Sequence, residues 1–336
     1  MCRFHIVMWF IHGYETYGIY KFNYYYKFIN QFYKMKKLIS SVFLAFLGLS
    51  LMAQTPVNMK LNLEKGKLYT IKSTSKQTSQ QSVSGQQYNM DIFSSSVITY
   101  KVLAQENNVM NIEFKFDTIV SKISSVMMTK ETNSAKPASD DPLERIMNKM
   151  STYKIIAKIS TDGKFIDFVN FRDFKDKIMF VLDSIPASKR DQAKTQAEQL
   201  LKESAVKSMI EPLFSYLPEK AVKTGDTWET TYLQSASNVS LLSLNTFTLK
   251  GVENNLATVT GKSEIEALPS TDPNAQMTQE LKGTMTNDGT IDLVTGLKLK
   301  NLSKGHIEGE VKVKNNGNEM KVSVKMDSQS ETIMLK

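Results

Sequence analysis

The sequence predicts an α+β protein, mostly β, built as an antiparallel sheet from two duplicated β-rich halves with a helical insertion between them. Three observations predict it. Long stretches on both sides of the centre alternate apolar and polar residues with the period of a half-buried strand. Between them, residues 173–217 read as helix, with Ala193, Ala197, Leu200, Leu201, Met209, Ile210, Leu213 and Phe214 near the spacing of one helical face. Three short segments before that block also recur after it in the same order. The expected division is 1–34 non-native extension, 35–53 signal peptide, 54–170 first β-rich half, 171–217 helical insertion and 218–336 second β-rich half.

Residues 1–34 are crowded with Tyr, Phe and Trp, including Tyr24-Tyr25-Tyr26, with neither helical nor strand period. They read as an upstream extension of the reading frame; the alternative is an aromatic-rich membrane-proximal segment. At Met35 a secretory signal begins. Met35-Lys36-Lys37 is its positive start, Leu38 to Leu51 its apolar run and Ala53 the small residue at the cleavage point, although Leu51 is larger than usual at the third position before it. The apolar run is shorter than the roughly 20 residues of a permanent span. Six of the 42 Lys and Arg and one of the 34 Asp and Glu precede Gln54, leaving 36 basic and 33 acidic residues, a net charge of +3. That balance, with no basic stripe interleaved with aromatics, argues against nucleic acid as a partner. The only cysteine, Cys2, precedes Met35, so the exported chain would carry no disulfide, thiolate nucleophile or lipid-modified cysteine. The expected product is soluble and not lipid-anchored, without a transmembrane span after signal cleavage, in the periplasm, cell envelope or extracellular space.

The first half opens at Gly66-Lys67-Leu68-Tyr69. Ile71, Val83, Tyr88, Met90, Ile92 and Val97 are then spaced through a Ser/Thr/Gln-rich stretch, which predicts two long strands about a turn at Gly85. Tyr100 to Leu103 and Val109 to Phe116 form a further strand pair through Glu106-Asn107-Asn108. Residues 129–141 read as an exposed loop, after which Ser139-Asp140-Asp141-Pro142 caps a helix over Leu143 to Met150. Tyr153 to Ile159 and Phe165 to Val169 are strands about Thr161-Asp162-Gly163. In the helical block, Pro186 and Ser188 with Asp191 three residues on approximate a capping box, and Pro218 marks its end.

The second half repeats the first. Phe247 to Val259 lies on Tyr100 to Ile112 without a gap, bringing Glu253-Asn254-Asn255 onto Glu106-Asn107-Asn108. Gly225-Asp226-Thr227-Trp228 matches Gly66 to Tyr69, and Asn287-Asp288-Gly289 matches Thr161-Asp162-Gly163. The tail adds strands Leu297 to Leu302, Ile307 to Lys314 and Met320 to Met326, with Asn316-Gly317 a two-residue hairpin signal.

Little in the chain carries reaction chemistry. After the signal there is one histidine, His306, in a strand-like setting, and none of H-E-x-x-H, C-x-x-C or G-x-S-x-G occurs, so no metal site is assigned. Asp162-Gly163 and Asp288-Gly289 lack calcium-loop spacing and read as hairpin turns. Asp140-Asp141, Asp173 with Asp176, and Glu264 with Glu266 have the composition of a glycosidase acid–base pair, yet each sits where helix capping or a solvated face puts acids anyway. No catalytic residue and no cofactor follow. Trp228 reads as an anchor burying its ring at the start of the second half, with a ligand platform as the alternative. Fourteen of the eighteen methionines follow the signal, suiting either an irregular core or a pocket for an apolar ligand.

On Leu217-Pro218, Gly225-Asp226-Thr227-Trp228, Asp141-Pro142-Leu143 and Asp162-Gly163-Lys164, the chain from Gly66 to Lys336 resembles an uncharacterised family of exported Bacteroidota proteins. That family brings no established activity or binding residues to transfer. The layout is also similar to the bacterial lipoprotein-carrier fold, which implies a curved, half-barrel-like sheet wrapped around helices and an apolar cavity. The expected function is non-enzymatic: holding a lipid or acyl chain between sheet and helices, with Trp228, Leu201, Met209, Leu213 and Phe214 as candidate contacts. The alternative is a structural or partner-binding envelope protein that offers strands Ile71 to Ser96 as a sheet edge or face. A carboxylate-dependent hydrolase is the third reading.

Overall fold

Alternation sustained over many residues produces long strands, and their length sets the architecture. The computed structural model describes residues 55–83, 85–137, 141–236, 239–269, 277–315 and 318–335. The strands are β1 (Tyr69–Val83), β2 (Gln86–Glu106), β3 (Val109–Ser125), β4 (Thr129–Asn133), β5 (Lys154–Ser160) and β6 (Phe165–Phe168), then β7 (Thr227–Ala236), β8 (Val239–Glu253), β9 (Leu256–Ala267), β10 (Met277–Asp292), β11 (Lys298–Asn315) and β12 (Asn318–Leu335). They form one antiparallel sheet in the order β6-β5-β3-β2-β1-β12-β11-β10-β9-β8-β7, with β4 beside β3. The sheet is curved and not closed. Each half is a meander, and β1 joins the halves by pairing with β12 from Thr70 opposite Leu335 to Val83 opposite Val322.

The helices lie in the gap that the open sheet leaves. They are α1 (Pro142–Thr152), α2 (Phe171–Met179), α3 (Ala187–Leu200) and α4 (Glu203–Ile210), with 3₁₀ turns at Phe180–Ser184 and Glu211–Leu213. Asp141 caps α1, its carboxylate accepting from the Leu143 and Glu144 amides at 2.9 and 3.2 Å. Helix α1 packs on β3 and α2 on β5, whereas α4 meets both edges of the sheet. Ser208 Oγ, which donates to the Ser204 carbonyl at 2.7 Å, also lies 3.3 Å from the Leu233 carbonyl of β7, and Lys207 Nζ lies 5.1 Å over the Phe165 ring of β6. One continuous core of Tyr100, Ile112, Phe114, Ile155, Phe174, Ile210 and Phe214 joins helices to sheet.

The two halves share local geometry. Asn107-Asn108 and Asn254-Asn255 turn with positive φ at both residues, at 47° and 65° and at 50° and 63°. A bulge precedes each turn, between Val102 and Ala104 and between Leu249 and Gly251. The Gly66 amide donates to the Val102 carbonyl at 2.9 Å as the Gly225 amide does to that of Leu249 at 2.7 Å. The Asn108 and Asn255 carbonyls each accept at 2.8 Å, from Thr161 and Leu293. Tyr69 stacks on Tyr100 with centroids 5.6 Å apart, and Trp228 stacks on Phe247 at 5.8 Å. Residues 57–63 run between the halves as a strap. Val57 bridges to Val222, the Leu61 amide donates to Thr161 and the Asn62 amide to Thr295, while Met59, Leu61 and Leu63 are buried.

Several expectations are corrected. Residues 173–217 are not one amphipathic helix. Leu201 ends α3 and Pro212 lies in a 3₁₀ turn, so the apolar residues are shared among short helices. The capping box at Ser188 and Asp191 does not form, because the helix begins at Ala187 with Pro186 as its cap and Ser188 falls inside the first turn. Residues 129–133 of the expected loop pair with β3. Asp288-Gly289 lies inside β10, opposite Leu302 and Asn301, and the turn comes at Asp292 to Gly296, where the Gly296 amide donates to the Asp292 carbonyl. Leu302 and Ile307 belong to a single strand, β11. Residues 1–54, with the expected extension and signal, lie outside the described residues, as do Ser139, Asp140 and the Asn316-Gly317 turn.

Gly296 has φ +73°, and a Cβ there would sit 2.2 Å from the Lys60 carbonyl oxygen of the strap. Gly66 has a similar φ of +81° with open space around it. Gly66→Ala is expected to cost about 1 kcal/mol from the left-handed backbone alone. Gly296→Ala is expected to cost about 3 kcal/mol or more, because strap or turn must also move; urea denaturation of the two variants measures the difference.

Candidate functional site

The concave face of the sheet is wider than the helices that cover it, and the difference is a cavity of about 560 Å³ between α4 and the inward-facing residues of β1 to β3, β7, β8 and β10 to β12. Its walls differ in chemistry. One is apolar: Ile71, Ile98, Phe116 and Ile119 from the first half, with Met209 and Leu213 from the helical block and Met285 and Met334 from the second half. Tyr100, which also lines the cavity, forms an aromatic cluster with Phe114 and Phe214 behind it, Phe214 lying edge-on to Tyr100 at 5.6 Å.

The opposite wall is polar and internally bonded. Asn301 Nδ2 donates to Ser303 Oγ at 2.7 Å, Ser303 Oγ donates to Asn287 Oδ1 at 2.6 Å, and Asn287 Nδ2 reaches Ser263 Oγ at 3.4 Å. Ser263 Oγ donates to Asn245 Oδ1 at 2.6 Å, which also accepts from Ser243 Oγ at 3.1 Å, while Asn245 Nδ2 donates to the Thr230 carbonyl at 3.2 Å. The chain crosses β11, β10, β9 and β8 in order. Ser243, Asn245, Ser263 and Ser303 are all buried, and mutual bonding is what makes burying them tolerable.

Tyr216 sits at the foot of the cavity, just after the helical block. Its hydroxyl donates to the Gly296 carbonyl and accepts from the Lys298 amide, both at 2.8 Å, and its own carbonyl accepts from Trp228 Nε1 at 2.9 Å. Burial pushes the Tyr216 phenol well above its ordinary pKa. Lys298 projects into the cavity with its ammonium 4.1 Å over the Tyr216 ring and 5.9 Å from the Phe247 ring. By area Lys298 is half-buried, because its side chain borders cavity space, and the protein packed around its ammonium lowers its pKa to about 8 by desolvation. Lys298 is the one charged group among the described residues lining the cavity.

Of the residues expected to touch a ligand, Met209 and Leu213 line the cavity. Leu201 and Phe214 are wholly buried in the core behind it, and Trp228 packs on Phe247 and anchors Tyr216. His306 is on the outer face, where it pairs with Asp327 at 2.8 Å and its pKa is raised by that carboxylate. Of the acidic residues, Asp141 caps α1 and pairs with Lys130, Asp173 with Lys177, Asp176 with Arg172 and Glu266 with Lys282, all away from the cavity. Among the described residues no group of three metal-ligating side chains converges.

Sequence reasoning missed Lys298 and the Asn/Ser wall. In Leu297-Lys298-Leu299-Lys300, alternation puts both lysines on the outer face. The register slips there, with Thr290 opposite Lys300 and Ile291 opposite Lys298, so the bulge turns Lys298 inward while Lys300 pairs outside with Glu331 at 3.1 Å. The one signal for the wall was Ser and Asn at positions where β8 to β11 should have been apolar.

The stretch 107–298, more than half of the chain, matches a family of unknown function, DUF6263, and the chain belongs to that family. No curated protein matches it. Among solved structures the chain is similar to lipovitellin, at 12% identity and a TM-score of 0.47, covering 82% of this chain and 26% of that one. It is also similar to an outer membrane channel from Pseudomonas putida F1, at 8% identity and a TM-score of 0.25, covering 82% of this chain and 97% of that one. A DUF1329 family protein from Desulfovibrio piger ATCC 29098 matches at 8% identity and a TM-score of 0.12, covering 76% and 83%. At TM-scores below 0.5 these likenesses bear on neither ligand nor mechanism. Among the described residues no helix is long and apolar enough to cross a membrane.

Tyr216→Phe leaves the Gly296 carbonyl and Lys298 amide without their partner, and is expected to cost about 1–3 kcal/mol in urea unfolding at unchanged m. Lys298 should titrate near pH 8 by NMR of its side chain. Because its folded pKa lies below the unfolded value, the unfolded chain binds more protons in between, and its contribution should make stability rise with pH from about 8 to about 10.4.

Proposed function

We propose that this is an exported, non-enzymatic cell-envelope protein that holds a hydrophobic ligand, such as a lipid or acyl chain, between the curved sheet and the helices. The observation that carries the reading is the cavity: its volume of about 560 Å³ falls within the range of about 300–1,000 Å³ typical of small-molecule sites, and it offers an apolar wall with a few ordered polar groups. Export rests on the signal from Met35 to Ala53. We further infer that the two halves arose by duplication, supported by the matched Asn-Asn turns, bulges and stacked aromatic pairs. The partner-binding reading loses its expected sheet edge, since β1 and β2 lie at the centre of the sheet, paired on both sides, and keeps only their outer face. The hydrolase reading would need carboxylates at the cavity, and Asp173, Asp176, Glu264 and Glu266 do not line it.

Protein purified from its native envelope is expected to release a stoichiometric lipid on organic extraction, read by mass spectrometry. Leu213→Trp, which fills the space beside Met209, should lower lipid occupancy and weaken binding of a fluorescent lipid probe about tenfold, or about 1.4 kcal/mol, while the protein stays folded. No extracted lipid together with no probe binding would sink the reading.

A further inference from the structure

Resting on the cavity reading above, we propose that the ligand is an anionic amphiphile, an apolar chain ending in a single carboxylate or phosphate, and that Lys298 holds its head. The argument is one of unmatched donors. Among the described residues no carboxylate lies within ion-pair distance of the Lys298 ammonium, which instead faces the rings of Tyr216 and Phe247. Ring faces compensate a desolvated ammonium only in part. A second donor is also unused: Tyr100 is 1% exposed and lines the cavity, and its hydroxyl has no hydrogen-bond partner. Of the lining amide oxygens, Asn245 Oδ1 already receives two hydroxyls and Asn287 Oδ1 receives Ser303, and among the described residues the lining holds no carboxylate. What the cavity lacks is therefore an acceptor carrying negative charge. Its position is engineered by the backbone, because the bulge at Leu299 turns Lys298 inward and the Tyr216 hydroxyl holds its amide. The apolar wall formed by Ile98, Phe116, Met209 and Leu213 suits the chain of the same molecule.

The test compares a twelve-carbon fatty acid, its methyl ester, dodecyl phosphate and inorganic phosphate, on the full chain and on its Lys298→Met and Lys298→Arg variants, so that the chain is held constant while the head changes. Wild type is expected to bind the acid at least about tenfold tighter than the ester, and Lys298→Met to lose that preference while keeping ester affinity within about twofold. Lys298→Arg should retain the preference, since charge is what it preserves. Binding of dodecyl phosphate at an affinity like the acid's would extend the head to phosphate, and weaker binding would restrict it to carboxylate; inorganic phosphate, lacking the chain, should bind at least about tenfold more weakly than either. Equal binding of acid and ester to wild type, or an undiminished preference in Lys298→Met, overturns the proposal and leaves the cavity reading standing. If neither acid nor ester binds wild type, both readings fall. Should Lys298→Met fail to fold, the wild-type comparison of acid with ester still decides.

Discussion

The hydroxyl of Tyr216 is the contact on which the rest of the structure depends. It joins the end of the helical block to the turn before β11, donating to Gly296 and accepting from Lys298 at 2.8 Å each. The same residue's carbonyl holds the Trp228 indole, and its ring lies beneath the Lys298 ammonium. One buried residue, through its hydroxyl, ring and carbonyl, thus fixes where the helices meet the second half, where β7 begins and where the cavity cation stands. Buried donors and acceptors bonded in this way resist rearrangement, because breaking any one strands its partner away from water.

That anchor matters because the sheet does not close on itself. Its edges, β6 and β7, are bridged by α4 through Phe165 and the Leu233 carbonyl, and the strap from Val57 to Leu63 crosses between the turns of both halves. The twist and bulges of long antiparallel strands curve the sheet. The short helices α1 to α4 cover only part of its concave face. Space left over in a protein interior is costly when its lining is apolar and empty. Here one stretch of the lining is instead part of a hydrogen-bonded run of Asn and Ser, contributed by Asn245, Asn287, Asn301 and Ser303, which a filled core would have no reason to contain.

The strands, their antiparallel pairing and the Asn-Asn turns were legible because each is a local matter of alternation and of φ. The same holds for the helix that starts at Asp141-Pro142, whose cap lies within three residues of the amides it satisfies. What misled the reading was local in a different way. Ser188 has a cap's side chain but sits two residues past the cap position, and Asp288-Gly289 has a turn's composition inside a continuous ladder. In both cases pairing or packing over longer distances overrode a short-range preference.

The sequence by itself determined the class of fold, the central helical block, the collinear pattern in the two flanks and the apolar residues Met209 and Leu213 that reach the cavity. Only the tertiary structure decided that β1 and β12 meet at the middle of one sheet and that Ser and Asn from four strands form one wall. It also decided that Lys298, rather than Lys300, points inward. The physical reason is the bulge: strand alternation assigns faces only while register holds, and one extra residue at Leu299 exchanges inside for outside in a way that depends on the partner strand.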